Sequence, residues 1–239
     1  MRERHLGFAN PAGPALPLEF AGSSWLLDHS GALYLPDAAT LVVADLHLEK
    51  ASSFATGGQF LPPYDSEATL QRLGAVIARY QPARVVTLGD SFHDATGVRR
   101  LSARATNLLE TLAQSRDWLW LSGNHDPVAP AGLPGQAADS IKLGPVWLRH
   151  LPQATSDAPQ ICGHFHPVAR LAARGVRLRR RCFAFNHQVL ILPAFGALTG
   201  GLNVRDAALE PWLGAEFSIC VPGAGQIFQA HASACLAGP

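Results

Sequence analysis

Residues 118–126 read WLWLSGNHD, an apolar alternation that ends in Gly, Asn, His and Asp. The apolar half predicts a buried strand. The polar half offers more than a turn requires. Asn and Asp favour turns because their side chains bond nearby backbone, and Gly supplies unusual dihedrals. Yet Asn124, His125 and Asp126 also bring together three groups able to bind a metal or move a proton. Two upstream runs end the same way. In TLVVADLHLEK (40–50) the stretch Leu41, Val42, Val43 gives way to Asp45 and His47, and ARVVTLGD (83–90) stops at Gly89 and Asp90. Between them, Leu70, Leu73, Val76, Ile77 and Tyr80 recur at helical spacing, with Asp65 or Ser66 as the cap and Pro82 as the stop. Val98, Leu101, Ala105, Leu108, Leu109 and Leu112 mark a second amphipathic helix. Strand, helix, strand, helix, strand predicts parallel strands joined by crossover helices, and ligands bind at the carboxyl ends of such strands.

Beyond residue 140 the texture changes to strands with few helical signals: VWLRH, QICGHFHP, CFAF, QVLIL, FSICV and QIFQ. CFAF and QVLIL, joined at Asn186 and His187, predict a hairpin. Two of these runs add His150 and the pair His164 and His166 to the polar strand ends. In D-x-H and H-x-H, alternate residues of an extended segment share a face, so each pair can converge on one ion. Carboxylate, imidazole and amide oxygen together suit borderline divalent cations such as manganese, iron or zinc, and the lack of cysteine ligands argues against a structural zinc.

The totals narrow the class. The chain has 239 residues, 48% hydrophobic and 15% charged, with a formal net charge of +1. Such a chain buries its own core and is neither a disordered tail nor a basic arm. One domain over residues 1–239 is expected, with residues 1–20 a loosely structured leader that lacks the apolar core of a secretion signal. The longest apolar stretch, Val189 to Leu198, is broken by Pro193 and Gly196. It falls short of the roughly 20 residues of a membrane helix, so no membrane association is expected, and the expected compartment is the cytoplasm. Cys162, Cys182, Cys220 and Cys235 are widely spaced and read as reduced, buried thiols.

The order D-x-H, G-D, G-N-H-D, H, G-H-x-H, each after an apolar run, resembles the calcineurin-like metallophosphoesterases. The resemblance spans residues 41–166. It implies an α/β (α+β) fold: a four-layer αββα sandwich of two mixed sheets flanked by helices. It also implies two divalent metal ions, manganese first with iron or zinc as alternatives. Asp45, His47 and His166 would hold one ion, Asn124, His150 and His164 the other, and Asp90 would bridge them. His150 has the least distinctive surroundings, LRHLPQ. Cations roughly 3.5–4 Å apart activate a shared water to hydroxide, which attacks phosphorus in line, and they face the charge that builds on the phosphate oxygens. His125 is then free to protonate the leaving oxygen. Asp126 would orient that imidazole or anchor the turn.

Within the superfamily, GDSFHD lacks the G-D-x-x-D-R-G of protein serine/threonine phosphatases. It resembles the G-D-L-F-H of DNA-repair nucleases, which would make His93 a second proton handler or a transition-state donor, the alternative being an exposed loop histidine. ADLHLEK and RCFAFNHQVLILPAFGALTGGLNV resemble a narrower group, bacterial metallophosphoesterases associated with a DNA ligase and with the DNA-damage response. Glu49 and Lys50 would line the site or form a helix-start salt bridge. LPAFGALTGG would be mostly core strand and turn, with some backbone packed beneath the metals. From Ala158 to Val204 there is no Asp or Glu, while Arg170, Arg174, Arg177, Arg179, Arg180 and Arg181 crowd one stretch. Arginine forks match phosphate oxygens, so Arg177, Arg179, Arg180 and Arg181 are candidates to grip a nucleic-acid backbone without reading its sequence. The expected activity is that of a phosphodiesterase or endonuclease acting on DNA, in repair alongside a DNA ligase and other repair proteins. A small-molecule phosphoesterase for nucleotides or cyclic nucleotides and a non-catalytic scaffold are the competing readings. His5, His29, His187 and His231 fit no ligand pattern.

Overall fold

The computed structural model describes residues 14–127, 130, 132–173, 176–223 and 225–238. His5 and Arg174 lie outside these. A first sheet runs in chain order through β1 (Ala15–Phe20), β2 (Ser23–Asp28), β3 (Leu33–Leu35), β4 (Thr40–Val43), β5 (Arg84–Thr87), β6 (Asp117–Leu121) and β7 (Gln136–Ala138). Its first four strands are antiparallel, and β4 to β7 are parallel. Between strands come α1 (Lys50–Thr56), α2 (Asp65–Tyr80) and α3 (Ala103–Ala113).

The second sheet begins with β8 (Ser140–Leu143), β9 (Val146–Arg149) and β10 (Gln160–Cys162). A two-stranded ribbon follows, β11 (Val168–Ala173) and β12 (Val176–Arg181). Then come β13 (Phe183–Phe185), β14 (Val189–Ile191), the single turn α4 (Glu210–Leu213), β15 (Ser218–Gly223) and β16 (Gln226–His231). The order is β16-β15-β13-β14-β10-β9-β8, with β9, β10 and β14 parallel. The predicted hairpin is β13–β14. Asn186 Oδ1 closes it by accepting from Gln188 N and Val189 N at 2.9 and 2.8 Å.

Alternation along each strand builds the layers. Val42, Val86 and Leu121 point into a core between the sheets, where they meet Leu148, Ile161, Phe183 and Leu190. Their neighbours Leu41, Val43, Val85 and Trp118 point outward against Leu70, Leu73, Ile77 and Leu109 of α2 and α3. Ala184, Ile191 and Ile219 cover the far side of the second sheet with Leu171 of the ribbon and Leu213 of α4. The fold is thus two mixed sheets flanked by helices, as expected, with a ribbon and one short helix forming the outermost layer. All four cysteines are free and buried. Among the described residues, no helix is long and apolar enough to cross a membrane.

Two local readings are corrected. Residues 15–20, expected in a loose leader, form β1, because Leu16, Leu18 and Phe20 alternate onto the inter-sheet core and Pro17 is tolerated on an edge strand. Asp65 and Ser66 do not cap their own helix. Asp65 Oδ2 accepts from Lys50 N and Ala51 N at 3.0 and 3.2 Å, and Ser66 Oγ accepts from Glu49 N at 2.8 Å, so both tie down the start of α1.

Asp28, at the end of β2, is fully buried and accepts from Ser30 N, the Tyr80 hydroxyl and the Arg79 guanidinium. Burial is the largest influence and pushes its pKa up, but these donors prevail and hold it below the ordinary value. A lowered folded-state pKa means the stabilisation is complete above the unfolded-state pKa and lost as pH falls through the folded one. Asp28→Asn is therefore expected to cost about 1–3 kcal/mol at neutral pH. In urea melts the gap to wild type should close as pH drops below about 4.

Candidate metal centre

The segments that follow β4, β5, β6, β9 and β10 meet at one rim, and those after β4, β5 and β10 curl as they leave their strands. Asp45, His47, Glu49, Asp90, His164 and His166 all have positive φ, between 43° and 70°. Each non-glycine residue held there costs on the order of 1–3 kcal/mol and persists where its surroundings over-determine it. The surroundings are a backbone zipper: Asp45 N donates to Gly89 O, His47 N to Asp90 O and Leu48 N to Ser91 O, at 3.3, 2.9 and 2.9 Å. The D-x-H and H-x-H pairs therefore converge by left-handed curling and not, as the period of two suggested, on the face of an extended strand.

Three groups of donors result: Asp45, His47 and His166; Asp90, His150 and His164; and His47, His93 and His125. In the first, His47 Nε2 lies 3.2 Å from His166 Nε2, and His166 Nε2 lies 3.4 Å from Asp45 Oδ1. Asp45 is fully buried and also accepts from His164 N. Burial, then the neighbouring His166, pushes the His47 pKa down to about 3, so its imidazole is neutral. In the second, Asn124 Oδ1 stands 2.8 Å from both His150 Nε2 and His164 Nδ1, which are 3.1 Å from each other. Asp90 Oδ2 lies 3.4 Å from His150 Nε2 and 3.8 Å from His47 Nε2, so this one carboxylate faces both groups. Burial raises the Asp90 pKa, but the His150 side chain and the His125 N–H outweigh it and bring it to about 2.

These donors fit divalent cations. His150 Nδ1 donates to the Leu88 carbonyl at 2.7 Å, which leaves Nε2 turned toward an amide oxygen and a carboxylate. Burial pulls its pKa down, but Asp90 and then Asp45 outweigh it and raise it, so a cation there would take the place of a proton. Nitrogen and oxygen donors gathered this closely could share one cation. Metal–nitrogen bonds of about 2.0–2.1 Å also set neighbouring ligand atoms roughly 3.0–3.4 Å apart, which is the spacing of the facing imidazole nitrogens.

His125 stands outside the two groups that contain a carboxylate. It is exposed, its backbone N–H donates to Asp90 Oδ1 at 2.9 Å, and its Nδ1 donates to the His93 carbonyl at 2.8 Å. Nε2 is left for chemistry. The rings of His93 and His125 stack at 5.2 Å, and burial followed by the charge of Lys50 holds the His93 pKa below its ordinary value. The ring of His125 is oriented by the His93 carbonyl and not by Asp126. Asp126 is buried, accepts from Phe92 N at 3.0 Å and has its Oδ1 unpartnered; burial, with Asp90 nearby, raises its pKa to about 6. Its place is that of a loop anchor. Glu49 and Lys50 form no ion pair with each other: Glu49 accepts from Ser52 and Ser66, and Lys50 lies over Phe54. His29 bonds the Pro14 carbonyl, and His231 pairs with Glu216.

Two glycines let the loops close. A Cβ on Gly123 would stand 2.1 Å from Asp90 N and 2.2 Å from Asp90 Oδ1, which is why Gly precedes Asn124 and His125. A Cβ on Gly196 would stand 2.3 Å from Leu46 O, while Phe195 N and Gly196 N donate to Ala44 O and Asp45 O. The backbone of LPAFG thus packs directly beneath the D-x-H loop. Gly123→Ala is expected to lower metal affinity by about 10- to 100-fold, the effect of disturbing groups that orient ligands, while the far-ultraviolet circular dichroism is unchanged. Equilibrium dialysis with manganese would measure it.

The four arginines do not act as one group. Alternation places Arg177, Arg179 and Arg181 on one face of β12, with Leu178 and Arg180 on the other. Arg179 and Arg181 lie in a cavity wall with His166, whereas Arg180 borders an apolar cavity with Leu171 and Phe228. Arg170 lies directly across the ribbon from Arg179.

Two mixed sheets carrying His/Asp metal-binding groups at the ends of their parallel strands define a metal-dependent phosphoesterase. Among solved structures the chain is similar to the Pseudomonas putida nuclease MPE. The two are 32% identical with a TM-score of 0.69, over 87% of this chain and 97% of that one. A slighter likeness, 15% identity and a TM-score of 0.40 over 82% and 98% of the respective chains, links it to YfcE, a phosphoesterase from E. coli. No family model and no curated protein matches the chain. The chain belongs to the calcineurin-like metallophosphoesterases.

Proposed function

We propose that this phosphoesterase is a nuclease that cleaves DNA phosphodiester bonds without sequence preference, using two manganese ions. Asp45, His47 and His166 would hold one ion and Asn124, His150 and His164 the other, with Asp90 facing both groups. Bound there, the ions supply fixed positive charge for the phosphate oxygens and a water of lowered pKa. The carrying observation is the division of labour among the imidazoles. Four share a group with Asp45 or Asp90, whereas His125 groups only with His47 and His93, is exposed and has Nδ1 committed to a carbonyl. A proton on His125 Nε2 is then available to the leaving sugar oxygen. His93 positions that imidazole through its carbonyl and its stacked ring, while Asp126 anchors the loop through the Phe92 N–H.

The similarity to a nuclease supports nucleic acid as the substrate class. The motifs GDSFHD and RCFAFNHQVLILPAFGALTGGLNV support a role in repair alongside a DNA ligase. The test is purified protein with manganese on linear and circular, single- and double-stranded DNA, beside mononucleotides, cyclic nucleotides and a nitrophenyl diester. Nicked or linearised circular DNA is expected. Turnover of nucleotides with every DNA left intact would overturn the nuclease reading in favour of a small-molecule phosphoesterase. No turnover of any substrate with both ions bound would point to a scaffold.

A further inference from the structure

A cavity of about 210 Å³ adjoins the metal centre, with His166 in its wall. Arg72 of α2 and Arg179 and Arg181 of β12 also line it, beside Thr199 and Gly200. Among the described residues no carboxylate lines this space. Arg179 Nη2 donates to Gly201 O at 2.7 Å and Arg181 Nη1 to Ala194 O at 3.2 Å, so each fork is anchored by one donor and keeps others. Arg72 is the most telling. Its guanidinium lies 4.4 Å over the centre of the buried Phe195 ring, and its Nε and Nη2 are buried with no hydrogen-bond partner. Burial, then the charge of Arg181, lowers the Arg72 pKa to about 10, so it stays charged. Buried guanidinium donors without an anion are costly.

We infer that this cavity holds a phosphate of the polynucleotide next to the one being hydrolysed, with Arg72 and Arg181 as its principal donors. Arginine forks suit phosphate oxygens, and sharing His166 with the metal centre places the subsite beside the scissile group. A mononucleotide or a nitrophenyl diester has no second phosphodiester to put there, so the subsite would favour polymers. This inference rests on the nuclease reading.

The test uses the full chain and a labelled single-stranded oligonucleotide. With chelator present to prevent turnover, Arg72→Met, which keeps the stem over Phe195, and Arg181→Gln should each raise Kd about tenfold. Each should also flatten the slope of log Kd against log salt by about 0.7 for every phosphate that is no longer neutralised. Arg72→Lys should fall between Met and wild type. With manganese, kcat/KM for the oligonucleotide should drop at least tenfold more than for the nitrophenyl diester, mainly through KM. Variants that bind and cut the oligonucleotide like wild type, or lose both substrates equally, would overturn the subsite alone. Wild type that hydrolyses the diester but neither binds nor cuts nucleic acid would overturn the nuclease reading and the subsite with it.

Discussion

Asp90→Asn is expected to reduce bound manganese from two ions per chain to one or none, and phosphodiester hydrolysis with it. Asp45 and Asp90 are the only carboxylates among the seven donors, so the change halves the negative charge facing two doubly charged ions. The amide keeps the shape and can still accept from His125 N, whose bond to Oδ1 is 2.9 Å, so the loop should stay folded. Loss of a group that merely orients a ligand costs roughly 10- to 100-fold in affinity, and loss of a carboxylate that faces both metal groups should exceed that. Elemental analysis and initial rates measure the two effects. Two ions bound with wild-type affinity in the variant would remove Asp90 from its bridging place.

His125→Ala is expected to behave oppositely: two ions retained, with kcat on DNA lowered by about 10²- to 10⁴-fold, the usual worth of a positioned general acid. The loss should depend on the leaving group. A sugar hydroxyl needs a proton as it departs, whereas nitrophenolate leaves readily without one. Hydrolysis of the nitrophenyl diester should therefore suffer much less than DNA cleavage. An equal loss on both substrates would mean that His125 acts through binding or through the loop, and not as an acid.

Much of the site was legible because each donor follows an apolar run: Asp45 and His47 after LVV, Asp90 after RVVTLG, Asn124 after WLWLSG, His150 after VWLR, and His164 with His166 after QIC. Strand alternation and the helical spacing of Leu70, Leu73, Val76 and Ile77 placed the layers for the same reason, since both are local patterns. What escaped was non-local or disguised. The αL curl at Asp45 and His47 depends on the backbone of Gly89 and Asp90, and that at His164 on the Asp45 carboxylate. The placement of Asp65 on α1 joins residues 14 and 15 positions apart. β1 was obscured by Pro17, β7 is short and largely exposed, and β8 is short and only half-buried. Arg72 had no signal at all. It is one charged residue on an amphipathic helix, and only the approach of β12 and Phe195 gives it significance.

The central claim is that these scattered donors gather around a pair of ions, and anomalous diffraction from a manganese-soaked crystal tests it most directly. Two anomalous peaks are expected, one amid Asp45, His47 and His166 and the other amid Asn124, His150 and His164, with Asp90 between them. A single peak, or peaks away from these side chains, would contradict it.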